Sequence, residues 1–376
     1  MGLFQKQEGY LGIDIGAQGM KLVELRKTKS RPQLWTYALL HHPIDIHELA
    51  PAGASMVPPA DGAFMSEGQK QPVSPITADD PRIDEYAQLL KELVKKSQAT
   101  SRRATASLPV SQVFHAVITL PTVDLKELDH HVRAKVKKML PQSIDDMQVV
   151  HQLIPNKEED KKPKFMRVLV TAAPKPLVSF YSAIFQKAGL QLEELETEAF
   201  ALERSLVGHD QSTIMLVDIG AERTNFFVVD QGLPITHRSI ALGGDAIDKE
   251  LSARLGIDIA LVNQMKIDLS RSPKTGNSAA VFTNLFDPIV KEIEYSVDLF
   301  IHQTGNEGKR LEKIILTGGA ALFPPIIDVI RQSFSVNVFI GDPWARVVYQ
   351  PGLRQVLDDI GARMAVSIGL AMRNIV

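Results

Sequence analysis

The chain lacks several features that would point to particular classes of protein. It contains no cysteine among its 376 residues, which excludes disulfides, thiol catalysis and Cys-ligated zinc and fits a reducing compartment. No apolar run approaches the ~20 residues that a membrane-spanning helix needs, and no signal-peptide pattern is present. The net charge of −2 gives no electrostatic case for nucleic-acid binding. We therefore expect a protein without a membrane span of its own, free or held at a membrane by a partner.

What is present is the composition of an ordinary globular protein. The chain is 44% hydrophobic and 23% charged, and its length predicts two to three domains of ~150 residues each. A stretch rich in proline and glycine, from about 41 to 81, interrupts the pattern of strands and helices. Such a stretch cannot bury enough apolar surface to order itself. We predict a flexible insertion there.

The tripeptide Asp-Ile-Gly occurs twice, each time at the end of an apolar strand. The first copy is residues 14–16 and the second is residues 218–220, more than half the chain apart. In both places a short turn follows and a second apolar strand begins, at Met20 and at Thr224. Repetition at this distance predicts a duplicated domain in which two similar loops face one cleft.

Each copy places a carboxylate at the bare end of a strand. Because strand side chains alternate, Asp14 shares a face with Gly12 and Gly16, and glycine lets a ligand approach closely. The turn 16–19 can aim successive N–H groups at an anion, and Lys21 could reach a phosphate. Asp14 and Asp218 facing each other would suit a hydrated Mg²⁺. A plain hairpin turn is the simpler explanation of either copy alone; the matched pair favours phosphate binding.

Hydrophobic periodicity outlines the rest of the chain. A small α+β unit is predicted over 104–190, and glycine pairs stand before helices at Gly243-Gly244 and after a strand at Gly318-Gly319. Strands are predicted at 10–16, 20–27, 33–40, 104–108, 113–120, 147–153, 165–172, 233–240, 313–317 and 336–340. Helices are predicted at 83–97, 124–139, 176–188, 245–255, 259–269, 287–302 and from Gly318-Gly319 to about 332.

Taken in order, these motifs resemble the actin-like ATPase superfamily. That resemblance implies an α/β fold of two ribonuclease-H-like halves around a nucleotide cleft. It predicts a first half over 1–103 with a return at 191–211, an inserted ferredoxin-like subdomain over 104–190, and a second half over 212–376. The implied cofactors are ATP and Mg²⁺.

The resemblance also assigns roles to individual residues. Asp14 and Asp218 would face the metal through water. The phosphates would be bound by Gly16, Ala17, Gln18, Gly19, Lys21, Gly220, Ala221, Glu222, Arg223, Thr224, Gly243 and Gly244. The adenosine would lie against Asn263, Lys266, Gly318, Gly319 and Ala320. Glu222 could orient a water for hydrolysis, although a carboxylate on a turn is more often simply solvated.

Within the superfamily the chain resembles the PilM family of type IV pilus assembly proteins, relatives of the cell-division protein FtsA. The matching stretches are residues 2–4, 12–16 with 21–25, 107–111 with 120–121, 138–141, 188–190 before 196–198, and 367–371. Ala17 and Gln18 replace a serine frequent in the first phosphate loop, and Asn263 stands where many relatives have glutamate. The lost hydroxyl and the weaker ribose contact predict ATP binding with little or slow hydrolysis, so enzymatic activity stays open.

The resemblance implies a cytoplasmic scaffold, peripheral at the inner membrane through its partners. The main partner would be the cytoplasmic N-terminal peptide of PilN, in a groove between the first half and the inserted subdomain, with PilO and the pilus motor ATPases as further contacts. A homo-oligomer is left open. Two alternatives remain at this stage, an FtsA-like filament former and a small-molecule kinase of the same superfamily.

Overall fold

The computed structural model describes residues 8–45, 80–140, 142–154, 164–271, 279–303 and 305–376. Most of the insertion predicted at 41–81 lies outside these ranges. The described residues form two five-stranded sheets and one three-stranded sheet, covered by helices.

The two large sheets have the same architecture. In the first, the order is β3-β2-β1-β4-β8, and in the second it is β11-β10-β9-β12-β13. Each is an antiparallel meander of three strands extended by two parallel strands. The predicted duplication and actin-like fold are confirmed. The strands are β1 (Gly9–Gly16), β2 (Gly19–Arg26), β3 (Gln33–His41), β4 (Arg103–Leu108) and β8 (Gln191–Thr197), then β9 (Ile214–Ile219), β10 (Thr224–Asp230), β11 (Leu233–Ile240), β12 (Lys313–Thr317) and β13 (Asn337–Ile340).

Helices cover both faces of the sheets. The helices α1 (Arg82–Ser97) and α3 (Lys175–Lys187) bury apolar side chains against the first sheet. The second sheet is covered by α5 (Gly244–Leu255), α6 (Ile259–Arg271), α7 (Ala279–Ile301) and α8 (Pro324–Ser333). The helices α4 (Glu198–Leu202) and α9 (Arg354–Met372) share a core with strands of the second sheet, and α9 also packs on β1 and β2. The apolar contacts of α9 therefore join the two halves.

A smaller unit is inserted in the first half. Its strands β5 (Phe114–Pro121), β6 (Met147–Ile154) and β7 (Phe165–Pro174) form an antiparallel sheet in the order β5-β7-β6. The helix α2 (Leu128–Val136) packs on it through Leu128, Val132 and Val136. The strand β4 and the helix α3, which the sequence grouped with this unit over 104–190, belong by pairing and packing with the first sheet.

Several elements differ from the sequence expectation. The helix α7 begins eight residues before the predicted start at Asp287 and continues through Pro288, because buried Phe286 and Ile289 anchor it on both sides of the proline. The helix α2 is shorter than predicted over 124–139. The strand β8 and the helix α9 were not predicted as elements.

Candidate functional site

The first hairpin holds its carboxylate in a network of three groups. The register of β1 and β2 places Asp14 opposite Lys21, and the Lys21 Nζ lies 2.6 Å from the Asp14 Oδ2. Ser107, on the neighbouring strand β4, donates its hydroxyl to the Asp14 Oδ1 at 3.0 Å. Burial lowers the pKa of Lys21, but the carboxylate of Asp14 more than offsets this and the pKa is raised overall. Lys21 therefore stays charged at the end of the hairpin.

The turn of this hairpin is fixed by the chain that leaves β3. The backbone N–H of Ile44 donates to the carbonyl of Ala17 at 2.8 Å, and that of His42 donates to the carbonyl of Gln18 at 3.3 Å. With its carbonyls engaged on this side, the turn Gly16–Gly19 is held in one position. The predicted first phosphate loop is thus a defined turn beside the Asp14–Lys21 pair.

The second hairpin is fixed by the start of α5. The N–H groups of Gly244 and Asp245 donate to the carbonyls of Gly220 and Ala221 at 2.9 and 2.8 Å. A Cβ on Gly243 would lie 2.3 Å from the carbonyl oxygen of Ala221, so only glycine permits this approach. The glycine pair that the sequence placed near the phosphates therefore supports the second loop directly.

Two residues predicted at the phosphates make other contacts in the structure. Thr224 is buried and donates its hydroxyl to the carbonyl of Leu242. The Arg223 Nε donates to the Ser239 Oγ at 2.9 Å, on the neighbouring strand. Glu222 is exposed on the turn. Their roles toward phosphate stay predictions.

The two hairpins meet across the cleft. Burial raises the pKa of Asp218 to about 6, and Lys21 and Asp14 of the other half act on it with opposite signs. The Gln18 side-chain amide also donates to Asp245, at the start of α5, at 3.1 Å from the Oδ2. The structure thus brings together Asp14, Lys21 and Asp218, which the sequence analysis singled out at distant positions.

A third carboxylate, Glu198, belongs to the same cluster. Burial raises its pKa well above the usual range, and the charges of Asp218 and Asp14 raise it further. Its side chain accepts a hydrogen bond from the Asn225 Nδ2 at 3.3 Å and another from the backbone N–H of Val110. Sequence reasoning quoted Glu198 only as part of a family motif and assigned it no role. Glu198 lies at the boundary between β8 and α4, and this position could have drawn attention to it. Neither element was predicted from the sequence.

The glycine loop after β12 adjoins this cluster. Gly318 has φ +88°, and a Cβ there would lie 2.5 Å from the Asp218 Oδ1 and 2.4 Å from the carbonyl oxygen of Ile219. The Cβ of Ala320 would be 3.3 Å from a Cβ on Gly244. Gly318 and Ala320 therefore stand beside the second hairpin and the start of α5, and the adenosine role of Gly318, Gly319 and Ala320 stays a prediction. Gly319 is exposed next to Arg363.

The other part of the predicted adenosine site lies on α6. The Lys266 Nζ lies 2.6 Å from the Asp248 Oδ1 on α5, while Asn263, one turn earlier, is exposed. The ion pair ties α6 to α5, so Lys266 has a structural partner as well as its predicted ligand. Both assignments stay predictions.

The donor set fits a nucleotide with a hydrated divalent cation. Within the described ranges no three His, Cys, Asp or Glu side chains are grouped to hold a metal directly. Two facing carboxylates match the way Mg²⁺ is held beside phosphates, because this ion keeps several of its waters. Lys21 and the glycine turns supply the positive and N–H groups that phosphate oxygens need.

A separate groove lies between the inserted unit and the first half. It has a cavity of about 230 Å³ between β6 and β7 on one side and β8 and α3 on the other. Both β6 and β8 are outermost strands of their sheets among the described residues. The apolar lining includes Leu108, Val150, Ala173, Val178, Leu192 and Leu195, and polar groups come from Gln148, Thr171, Ser182, Glu193, Glu194, Glu196 and Thr197.

Charged pairs fix the strand β8 at the rim of this groove. Glu196 makes a two-pronged pair with Arg204, whose Nη1 also donates to the carbonyl of Gly369. Glu194 pairs with Arg373 at 2.6 Å. The carboxylates of the rim are therefore largely neutralised, and β8 is tied to the end of α9.

Among the described residues there is no helix whose length and apolar character would let it cross a bilayer.

Comparison with known proteins places the chain in a family. A sequence model of the family "Type IV pilus assembly protein PilM" matches residues 76–375. The cell division protein FtsA of Enterococcus faecalis is 25% identical over an alignment of 191 residues, which covers 45% of this chain and 43% of that protein's length. Less than half of that relative is therefore matched.

Solved structures agree on the fold. The PilM-PilN type IV pilus biogenesis complex aligns with a TM-score of 0.75 at 22% identity over 98% of both chains. The ethanolamine utilization protein EutJ of Carboxydothermus hydrogenoformans aligns with a TM-score of 0.50 at 14% identity over 97% of this chain and 89% of EutJ. These likenesses show the actin-like fold. Because the family model covers most of its length, the chain belongs to the PilM family of type IV pilus assembly proteins.

Proposed function

We propose that this chain is an ATP-binding scaffold of the type IV pilus inner-membrane assembly complex, held at the membrane from the cytoplasm by its partners. The observation that carries the proposal is the cluster of Asp14, Lys21, Asp218 and Glu198, assembled from both halves in one cleft. Glycine turns from both hairpins and the loop at Gly318 surround it. Family membership supplies the pilus context.

Each residue of the cluster has a distinct part in binding. Asp14 and Asp218 would hold Mg²⁺ through its waters, and the bound ion would neutralise phosphate charge. Lys21 is ion-paired with Asp14 and close enough to the turn 16–19 to share its charge with a phosphate. The turn 220–224 would offer N–H groups from the opposite side.

We expect slow hydrolysis because the first turn has Ala17 and Gln18 where a hydroxyl would assist. ATP would therefore serve mainly to set the angle between the halves.

We further propose that the groove binds the cytoplasmic N-terminal peptide of PilN. Support comes from the groove's place between two outermost strands, since an extended peptide can add to such an edge and seat alternate side chains in apolar pockets. Support also comes from the fold shared with a PilM-PilN complex. Contacts with PilO and with the pilus motor ATPases, and self-association, remain predictions.

Titration calorimetry of the full chain tests both parts. ATP–Mg²⁺ and a synthetic peptide of the PilN N-terminus are titrated separately into the wild type, Asp14→Ala and Val150→Asp. We expect Asp14→Ala to lose ATP binding and keep the peptide, and Val150→Asp to do the reverse, because Val150 lines the groove and is already exposed. Leu153→Asp, on the same strand but outside the groove lining, is the matched control.

Three outcomes would contradict the proposal. If the wild type does not bind ATP, the proposed nucleotide site is wrong. If it does not bind the peptide, the proposed partner is wrong. Turnover in the range of ~1–100 s⁻¹ typical of kinases would indicate an enzyme instead.

A further inference from the structure

The groove and the nucleotide cluster share two strands. We propose that a peptide in the groove raises the affinity for ATP–Mg²⁺, and that Thr197 is the positioning residue that links the two sites through Glu198. This inference rests on the proposed function, because it requires both ligands to bind. It concerns how they affect each other.

The walls of the groove end side by side at the cluster. The register of β4 and β8 pairs Leu108 with Thr197, and both residues line the groove. These are the last residues of their strands. Anything seated in the groove at this point therefore touches the ends of both strands at once.

The residues next to Leu108 and Thr197 in the sequence belong to the carboxylate cluster or support it. Ser107 precedes Leu108, and because strand side chains alternate, its hydroxyl lies on the opposite face, where it donates to Asp14. Glu198 directly follows Thr197 and opens α4. On each strand a groove residue is thus one residue away from a group that forms or supports the cluster.

A second connection runs through Val110. Two residues beyond Leu108, its backbone N–H donates to the Glu198 carboxylate, and its carbonyl accepts a hydrogen bond from the ring of His237 in the second half. A shift of the β4 end would therefore move a donor to Glu198 even if β8 stayed in place. Both walls of the groove converge on this one carboxylate.

Thr197 carries the feature that makes the groove responsive. The residue is 3% exposed, and its hydroxyl is buried without a hydrogen-bond partner among the described residues. A buried unsatisfied hydroxyl is unfavourable, and a peptide that shifts the end of β8 enough to bond to this hydroxyl removes the penalty. The strand β8 is anchored upstream by the pairs of Glu194 and Glu196 with arginines, so ordering at its end passes to Glu198.

The expected effect follows from linkage. A bound peptide orders the ends of β4 and β8. ATP binding then loses less conformational entropy, which gives positive cooperativity. Coupling between two sites is typically about 5- to 150-fold in affinity, and each ligand must change the other's affinity by the same factor. We expect at least about five-fold tighter ATP–Mg²⁺ binding with peptide present.

The test measures, in four proteins, the ratio of the ATP–Mg²⁺ affinity with peptide to the affinity without it. ATP–Mg²⁺ is titrated into the full chain by calorimetry, with and without a saturating synthetic peptide of the PilN N-terminus from the same organism. In Thr197→Val, which keeps the shape and removes the hydroxyl, the ratio of the two ATP affinities should fall toward one. In Thr197→Ser, which keeps the hydroxyl, the ratio should be restored. Thr119→Val, the same change at an exposed threonine on β5 outside the groove lining, should leave the ratio as in the wild type.

The outcomes separate this inference from the proposed function. A wild-type ratio of one, with both ligands bound, overturns the coupling and leaves the scaffold intact. If Thr197→Val shows the same ratio of ATP affinities as the wild type, Thr197 does not link the two sites. If the ratio also falls in Thr119→Val, the fall reports general damage to the protein and counts against the link. If the peptide does not bind, the proposed partner fails and this inference fails with it.

Discussion

Asp14 and Asp218 occupy the same place in the same tripeptide, but their surroundings differ. Asp14 has a lysine at 2.6 Å and a hydroxyl at 3.0 Å. Burial instead raises the pKa of Asp218 to about 6. A repeated motif therefore predicts where two carboxylates lie and not how each is charged, which depends on neighbours contributed by other strands.

The substitution Asp218→Asn should stabilise the nucleotide-free protein at neutral pH. Because the folded-state pKa of Asp218 is raised above its usual value of 3.8 to about 6, ionising it in the folded protein costs about 1–3 kcal/mol, and stability is lost as the pH rises from about 4 to about 6. Denaturant unfolding at pH 4 and pH 7.5 measures this. Asp14→Asn, which breaks an ion pair, should destabilise instead; a gain from both would contradict the assignment.

Gly318→Ala should be among the most damaging glycine changes in the chain. Gly318 has a left-handed φ of +88°, which an alanine rarely adopts, and the added Cβ would lie within 2.5 Å of the Ile219 carbonyl oxygen and the Asp218 Oδ1. We expect a loss of more than about 3 kcal/mol in the free energy of unfolding. Gly189→Ala is the control, since its φ is +74° and open space surrounds it, so it should cost only about 1–2 kcal/mol. Equal losses would mean that crowding at Asp218 contributes nothing.

Single residues also mark the limit of the sequence analysis. The closeness of Asp14, the turn 16–19 and Lys21 was predictable because all three lie within one hairpin. Gly12 was interpreted as leaving room for a ligand, but a Cβ there would lie 1.9 Å from the carbonyl oxygen of Ser367 on α9. The close neighbour is a helix more than three hundred residues away, which no local pattern reveals.

Elements with a regular apolar period were predicted well, and those without one were missed. The strand β11 and the strand β12 have the predicted bounds. The sequence of β8 places three glutamates among its seven residues, and arginines from other elements neutralise them. In α9, Gly361 and Gly369 lower the helix propensity, but a Cβ on Gly369 would collide with the carbonyl of Ala201. Tertiary contacts thus decide both elements.

The contact between β5 and β11 should make the chain sensitive to acid. It contains His115 and His237, whose rings lie 5.4 Å apart, and burial lowers their pKa values to about 4 and about 3. Both therefore stay neutral in the folded protein, and the stability present above pH 6.5 is lost as the pH falls toward 4.

Replacing one ring should weaken this dependence. At pH 5 the lowered pKa of His237 accounts for about 2 kcal/mol of lost stability, so His237→Gln should reduce the difference in unfolding free energy between pH 7 and pH 5 by that amount. The exposed His209 provides the control in His209→Gln. An unchanged difference in His237→Gln would show that the pair does not govern the acid response.

At the scale of the whole molecule, the architecture was predictable because it is duplicated. Two copies of one hairpin in one order imply two equivalent sheets, and both are present. The junction between the halves was not predictable. It includes α9, the Gln18–Asp245 hydrogen bond and the cluster around Glu198, all of which join residues from distant parts of the sequence.

This junction leads us to expect that ATP–Mg²⁺ stabilises both halves together. A ligand held by Asp14 and Asp218 binds across the cleft, so at ~100-fold excess over its Kd it should add about 2.7 kcal/mol to a single unfolding transition. Scanning calorimetry with and without ATP–Mg²⁺ measures the shift, and Asp14→Ala should abolish it. If only part of the heat absorption moved, the nucleotide would be bound by one half alone. If ATP raised light scattering and made the protein pellet, the FtsA-like filament alternative would replace the scaffold, because stabilisation would then come from contacts between chains.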